Sequence, residues 1–266
     1  MQRNLNSLLQ RLANKSFFVV ASLIEKLINS IRQRLASYWR EYDSFPEAQL
    51  TPEGRAGVKL LGHRTYVGGL WDQIGSHQFK FLLDRGLQPE HILLDIACGA
   101  LRLGVKVIPY LQPEHYLGVE KESLLLERGL QQELGAELAE RFRPKLLNNS
   151  DFAFELLATS IDVAIAQSLF THLPPAAIKH CLQQLRPWLK PSGVFYATFF
   201  KSTSIQRRSL RKAHDHACFF YTIAEMNDFG IGQGYTVEYI GDWGHPRQQV
   251  MVAYRLKPHI DTTVSS

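Results

Sequence analysis

The strongest constraint on this chain is an alternation that begins at Ile92 and runs to Leu256. Short apolar runs fall near Ile92–Ala97, Tyr116–Glu120, Lys145–Asn149, Asp162–Ala166, Val194–Phe199, Val237–Gly241 and Gln249–Leu256. Between them lie stretches with helical spacing, notably Leu101–Tyr110, Ser123–Arg141, Pro174–Leu189 and Ile223–Phe229. Strands separated by helices cannot close as tight hairpins. They need crossover connections, which build a parallel sheet with helices on both faces. The expected fold class is therefore α/β, a Rossmann-like doubly wound sheet of seven strands. No internal repeat interrupts it.

Ahead of that core, apolar residues recur every three or four positions at Leu5, Leu8, Leu9 and Leu12, then Val20, Leu23, Leu27, Ile28, Ile31, Leu35 and Tyr38. This is the pattern of an amphipathic helical extension. Its apolar run from Phe17 to Ile24 is followed at once by Glu25 and Lys26, and is much shorter than the roughly 20 residues a membrane span requires. No signal-peptide cleavage pattern is evident. Pro46 to Gly57 reads as a polar connector. The expected organisation is a helical extension and connector over residues 1–60, an α/β domain over 61–257 and a tail over 258–266.

Charge is distributed unevenly along the chain. Residues 1–40 hold seven basic residues and one acidic residue, so they exceed the whole chain's net charge of +5 and leave the remainder slightly acidic. A near-neutral body lacks the broad basic footprint that binding to a phosphate backbone demands, which argues against nucleic acid as partner. The basic helix could instead pack on protein, including a second copy in a homodimer, or make peripheral contact with an anionic membrane. Cys98, Cys181 and Cys218 are widely spaced and odd in number. They suggest neither a disulfide framework nor a metal site, and fit a cytoplasmic protein, possible contact with the inner membrane face included.

The richest chemical signal is the stretch DIACGALRLG from Asp95 to Gly104. An apolar strand ends on a carboxylate, then turns through small residues into a helical segment, so that backbone N–H groups can approach a ligand closely. A second apolar strand closes on Glu120, 25 positions after Asp95. In doubly wound folds an acid at that place accepts hydrogen bonds from ribose hydroxyls. Together the two acids point to an adenosine cofactor, NAD or S-adenosylmethionine. A nicotinamide site with its GxGxxG turn would need three glycines, and this turn supplies one where expected.

The segment from Asp95 to Gly104 resembles motif I of class I methyltransferases, and Gly118-Val119-Glu120 resembles the ribose-binding motif that follows it. Asn149 to Phe152 is similar to the adenine-edge segment after the third strand. Asp162 to Leu173 resembles motif IV and its continuation, and Leu185 to Phe195 the helix, turn and strand that come next. The resemblance implies S-adenosyl-L-methionine as cofactor and a last strand running antiparallel beside the fifth. It also implies roles. Asp95 would anchor the methionine amino end, while the turn of Ala97, Cys98, Gly99, Leu101 and Arg102 approaches the methionine backbone. Glu120 would hold the ribose, Asp151 the adenine amino group, and Phe152 the adenine face. Gln167 and Ser168 would line the pocket floor. The sequence departs from the family at Ala97, Leu101 and the charged Arg102. A narrower likeness, carried by Tyr66 to Gly75 and Gly241 to Gln248, is to a bacterial group of uncharacterised small-substrate methyltransferases.

On the acceptor side the candidates are general. A hydroxyl acceptor would benefit from a base near neutral pH, and His214, His216 and His245 follow the fifth and sixth strands. His216 and His245 are the candidate catalytic residues, whereas His172 reads as a packing residue. Tyr66, Trp71, Tyr221 and Trp243 are the candidate substrate-binding aromatics, with Phe219 and Phe220 read as core. Arg207, Arg208, Arg211 and Lys212 form a basic run suited to solvent or to an acidic acceptor. The expected activity is in-line methyl transfer to a small-molecule, glycan or lipid-linked acceptor. The competing readings are a methyltransferase-like scaffold without turnover and an NAD-dependent oxidoreductase.

Overall fold

The computed structural model describes residues 52–205, 213–216 and 218–258. The expected helix and membrane contact within residues 1–40, and the basic run of Arg207, Arg208, Arg211 and Lys212, lie outside the described residues.

Four neighbouring strands run parallel: β1 (Leu93–Ile96), β2 (Tyr116–Glu120), β3 (Lys145–Asn148) and β4 (Ile161–Ala166). They are joined by β5 (Leu189–Lys201), β6 (Phe220–Tyr221), β7 (Tyr235–Asp242) and β8 (Val250–Leu256). The order across the sheet is β3-β2-β1-β4-β5-β8-β7, with the two-residue β6 beside β5. β8 runs antiparallel to both β5 and β7 and is inserted between them. The expected sheet gains one strand, β6, which is too short to leave a periodic signal.

Both faces of the sheet are buried, because successive side chains of a strand point to opposite sides. Leu94, Ile96, Leu117, Val119, Ala164 and Ala166 pack on one face with Phe195 and Phe199. Leu93, Tyr116, Val163, Ile165 and Tyr196 pack on the other. Crossing the sheet are α1 (Gly54–Leu61), α2 (His63–Tyr66), α3 (Trp71–Asp84), α4 (Gly104–Val107), α5 (Ser123–Arg128), α6 (Ala136–Phe142), α7 (Pro175–Leu185) and α8 (Ile223–Gly232). α8 begins with a capping box in which Thr222 and Glu225 satisfy each other's backbone N–H groups.

Three expected elements are corrected. The connector reading of Pro46–Gly57 fails at its end, where α1 begins at Gly54 and buries Val58. Leu101 has a φ of +66°, so no helix starts there, and regular helix is confined to α4. The long helix expected over Ser123–Arg141 is divided by a π-helical stretch, Gly129–Leu134, and by Gly135 at φ +83°. Gly129 is required by packing: a Cβ there would stand 2.8 Å from Leu101 Cγ and 2.9 Å from Ala100 O. The helix thus presses its backbone against the turn after β1.

Candidate cofactor and acceptor site

A cavity of about 480 Å³ opens at the carboxyl ends of β1, β2 and β4. Ligands of parallel α/β sheets bind at this edge. Of the expected cofactor residues, Asp95, Ala97, Cys98, Gly99, Arg102, Glu120, Phe152, Gln167 and Ser168 line it.

The turn after β1 is shaped by an unusual backbone. Ala97, Gly99 and Leu101 have φ values of +60°, +57° and +66°, so every second residue is left-handed. Such conformations cost energy in Ala and Leu and are tolerated where the surroundings fix them. Here Leu101 is wholly buried, anchoring the turn rather than lining the cavity. The expected role of Leu101 at the cofactor is corrected accordingly.

Glu120 sits at the floor beside this turn. Its Oε2 accepts the N–H of Gly99 at 3.1 Å, and its Oε1 accepts the N–H of Glu122 at 3.0 Å. Burial pushes its carboxyl pKa up, and these backbone donors oppose the shift. Asp95, also buried, receives the Tyr116 hydroxyl at 2.8 Å, and desolvation pushes its pKa up to about 7. Gly118 lets these strands close up, since a Cβ there would meet Leu146 Cδ2 at 2.7 Å and Cys98 Sγ at 3.0 Å.

A chain of polar side chains extends from Arg102 across the ends of β4 and β8. Arg102 Nη1 donates to the carbonyls of Val67 and Gly69 at 3.2 Å each, and Nη2 to Gln167 Oε1 at 2.5 Å. Gln167 Nε2 donates to Ser168 Oγ at 2.6 Å. Ser168 and Thr198 both bond to Gln249 Oε1, at 3.0 and 2.7 Å. The atypical charge in the turn is therefore a brace between the segment ahead of α3 and the tip of β4.

His245 is placed behind this network. Its Nε2 faces Gln167 Nε2 at 3.1 Å, and its Nδ1 faces the backbone N–H of Arg247 at 3.2 Å. Burial and the nearby guanidinium groups of Arg102 and Arg247 hold its pKa down at about 3. With both nitrogens facing donors and no place on the cavity wall, His245 is corrected from candidate base to structural residue.

His216 does line the cavity, as do His172 and His214. His216 Nε2 bonds to the carbonyl of Pro52 at 3.1 Å, and its ring meets Tyr66 edge-on at 5.4 Å. Tyr66 is also on the wall, and its hydroxyl donates to Asp215. Asp215 further accepts from Lys121 Nζ and, at 3.0 Å, from the N–H of Gly54. These bonds lower its pKa against the opposing effect of burial, so it stays a carboxylate. Asp215 thus holds three separate segments over the cavity. It lies between two histidines that the sequence singles out, yet nothing in its own neighbourhood marks it.

Four further expectations are corrected. Tyr221 is wholly buried and donates its hydroxyl to Leu173 O at 2.5 Å, so it belongs to the core. Trp71 packs among Val58, Ala100, Leu124 and Leu125, beneath the Arg64 guanidinium. Trp243 stacks on His245 and donates its indole N–H to Gln249 O at 3.0 Å, away from the cavity. Asp151 turns outward beside His180 at 3.2 Å, with its side chain 85% exposed. Asn149 and Ser150 line the cavity in its place. Lys121 and Gln78 are wall residues without a sequence motif, and Arg247, from the segment Gly241 to Gln248, joins them.

A family model described as a methyltransferase domain matches residues 94–195. The match runs from β1 into β5, the part of the sheet that carries the cavity. Solved structures share this chain's fold, among them two named as methyltransferases. Magnesium protoporphyrin IX methyltransferase ChlM from Synechocystis PCC 6803, with bound S-adenosylmethionine, is 14% identical, with a TM-score of 0.53 over 69% of this chain and 79% of that one. Glycopeptide N-methyltransferase MtfA in complex with S-adenosylmethionine is 15% identical, with a TM-score of 0.53 over 69% and 94% of the two chains. DesVI from Streptomyces venezuelae is 16% identical, with a TM-score of 0.52 over 77% and 100%. At these identities the likeness is one of fold.

Proposed function

We propose that this protein is an S-adenosylmethionine-dependent methyltransferase acting on a small-molecule, glycan or lipid-linked acceptor. The observation that carries the reading is the position of Glu120. A carboxylate offers roughly four lone-pair sites. Backbone N–H groups of Gly99 and Glu122 use two, one on each oxygen, and leave one on each for a pair of ribose hydroxyls. The volume of about 480 Å³ fits a nucleoside bearing an amino-acid tail, within the ~300–1,000 Å³ range of ligand pockets. Asn149, Ser150 and Phe152 supply a polar edge and an aromatic surface for the base. Asp95 and Arg102 offer opposite charges at the other end, complementary to a zwitterionic tail.

When bound, S-adenosylmethionine supplies an activated methyl group together with its own leaving group. The protein's part is to hold the acceptor in line and exclude water. Orientation of this kind contributes roughly 7–11 kcal/mol, so an acceptor that is already nucleophilic needs no dedicated base. Where a proton must leave, His216 and His214 are the histidines on the wall beside Tyr66, and His245 has no part. Tyr66 and Arg247 line the wall and suit a polar or anionic acceptor.

The antiparallel β8 beside β5 and the single glycine expected in the cofactor turn speak against the oxidoreductase reading. On sequence grounds alone the proposal includes peripheral contact of residues 1–40 with an anionic membrane face. A homodimer is the other way to cover their apolar stripe. Isothermal calorimetry with S-adenosylhomocysteine tests the central claim. Binding to the wild type supports it, and absence of binding removes it.

A further inference from the structure

The polar network around the cavity has one loose end. Guanidinium groups only donate, so Arg102 fixes the orientation of Gln167: its oxygen faces Nη2 at 2.5 Å and its amide nitrogen faces Ser168 Oγ. That in turn fixes Gln78. Its Nε2 must be the atom turned to Gln167 Oε1, at 3.5 Å, because the opposite orientation would set two oxygens against each other. The side-chain carbonyl of Gln78 is therefore the end left over. It is buried and has no hydrogen-bond donor among the described residues, in a residue only 3% exposed that lines the cavity.

A buried acceptor without a donor costs about 1–3 kcal/mol, and a fold seldom keeps one without a use. The position is also deliberate in packing terms. One turn before Gln78, Gly75 brings α3 against the turn after β1, where a Cβ would stand 2.7 Å from Arg102 O. This close approach places Gln78 beside Arg102 and Gln167.

We propose that the Gln78 carbonyl is a binding group for the ammonium of the cofactor's amino-acid tail. The inference rests on the methyltransferase reading above and adds a residue to it. An ammonium carries three N–H donors and no acceptor, so one can satisfy Gln78 while the others face Asp95 and the turn. A tail carboxylate is then directed towards Arg102. Gln78 acts as a reader of the tail and leaves the nucleoside to Glu120 and Asn149.

The test compares two ligands on wild-type protein and on Gln78→Leu and Gln78→Met. S-adenosylhomocysteine has the tail, and 5′-methylthioadenosine has the same nucleoside without it. Gln78→Leu should weaken S-adenosylhomocysteine about tenfold and change methylthioadenosine less than twofold. Gln78→Met, which keeps the length of the side chain without its amide, should show the same selective loss for S-adenosylhomocysteine. Equal changes for both ligands in Gln78→Leu, or no change for either, would overturn the assignment while leaving the cofactor reading intact. If Gln78→Leu fails to fold, Gln78→Met decides: equal changes for both ligands, or no change for either, overturn the assignment. Failure of wild type to bind either ligand would instead remove the cofactor reading itself.

Discussion

The backbone N–H of Gly99 donates to Glu120 Oε2 at 3.1 Å, joining the turn after β1 to the acid at the end of β2. The bond fixes the carboxylate in one rotamer and lets the turn approach the same ligand. Gly99 has a φ of +57° and a Cβ there would lie 3.0 Å from Val67 Cγ1, so the glycine serves both conformation and contact. The two elements form one binding surface, and a change in either is felt by the other.

Glu120→Ala should weaken S-adenosylhomocysteine by at least about tenfold in calorimetry, since hydrogen bonds to a charged acceptor contribute about 1.5–3 kcal/mol each. Glu120→Gln should lose less, because its remaining oxygen can accept one hydroxyl. An unchanged affinity in the alanine variant would mean that the ribose lies elsewhere.

Asp95 predicts a pH dependence of stability. Its carboxyl pKa is raised by burial to about 7, from an ordinary value of 3.8, so the folded state binds more protons than the unfolded chain between those limits. Asp95 therefore favours folding most below pH about 4, and this contribution is lost as the pH rises through about 7. Asp95→Asn removes the ionisation. Relative to wild type, the thermal midpoint of the ligand-free variant should rise with pH across that window and level off above it. A constant difference between pH 4 and 8 would contradict the burial of an ionising Asp95.

His245 should be silent in the neutral range. Its pKa of about 3 arises from burial, reinforced by Arg102 and Arg247, and both nitrogens face N–H donors. NMR of the imidazole C–H resonances should show no titration between pH 5 and 9. A midpoint near the ordinary value of 6.5 would restore it as a candidate base.

Much of this arrangement was legible in the sequence because it depends on local rules. The parallel strands announce themselves as apolar runs, and Asp95 and Glu120 stand at their carboxyl ends, where topology alone puts a ligand. Ala97 and Leu101 looked like departures from a glycine-rich turn, and the structure accommodates both in left-handed conformations. Contacts between distant segments were not legible. Asp215 meets Gly54, Tyr66 and Lys121 across more than ninety positions of sequence, and no periodicity encodes that meeting. The aromatics misled for a related reason: Trp71, Tyr221 and Trp243 offer large apolar surfaces that suit a core as well as a pocket, and only packing decides. Asp151 likewise depends on the turn of Phe152 at φ +55°, a conformation no neighbour signals.

Tyr221 separates the core role from the pocket role. The hydroxyl is buried and donates to the carbonyl of Leu173 at 2.5 Å, at the end of the segment that follows β4. Removing it leaves a buried acceptor short of a donor while the ring still fills its space beside Phe229. Tyr221→Phe should therefore cost about 1 kcal/mol of stability in urea unfolding, near the net value of a typical internal hydrogen bond. Cofactor affinity should stay within about twofold of wild type, because the side chain has no place on the cavity wall. A large change in affinity at unchanged stability would return Tyr221 to the acceptor pocket, and would require the β5 and β6 pairing to open during binding, since Tyr221 is held there opposite Lys201.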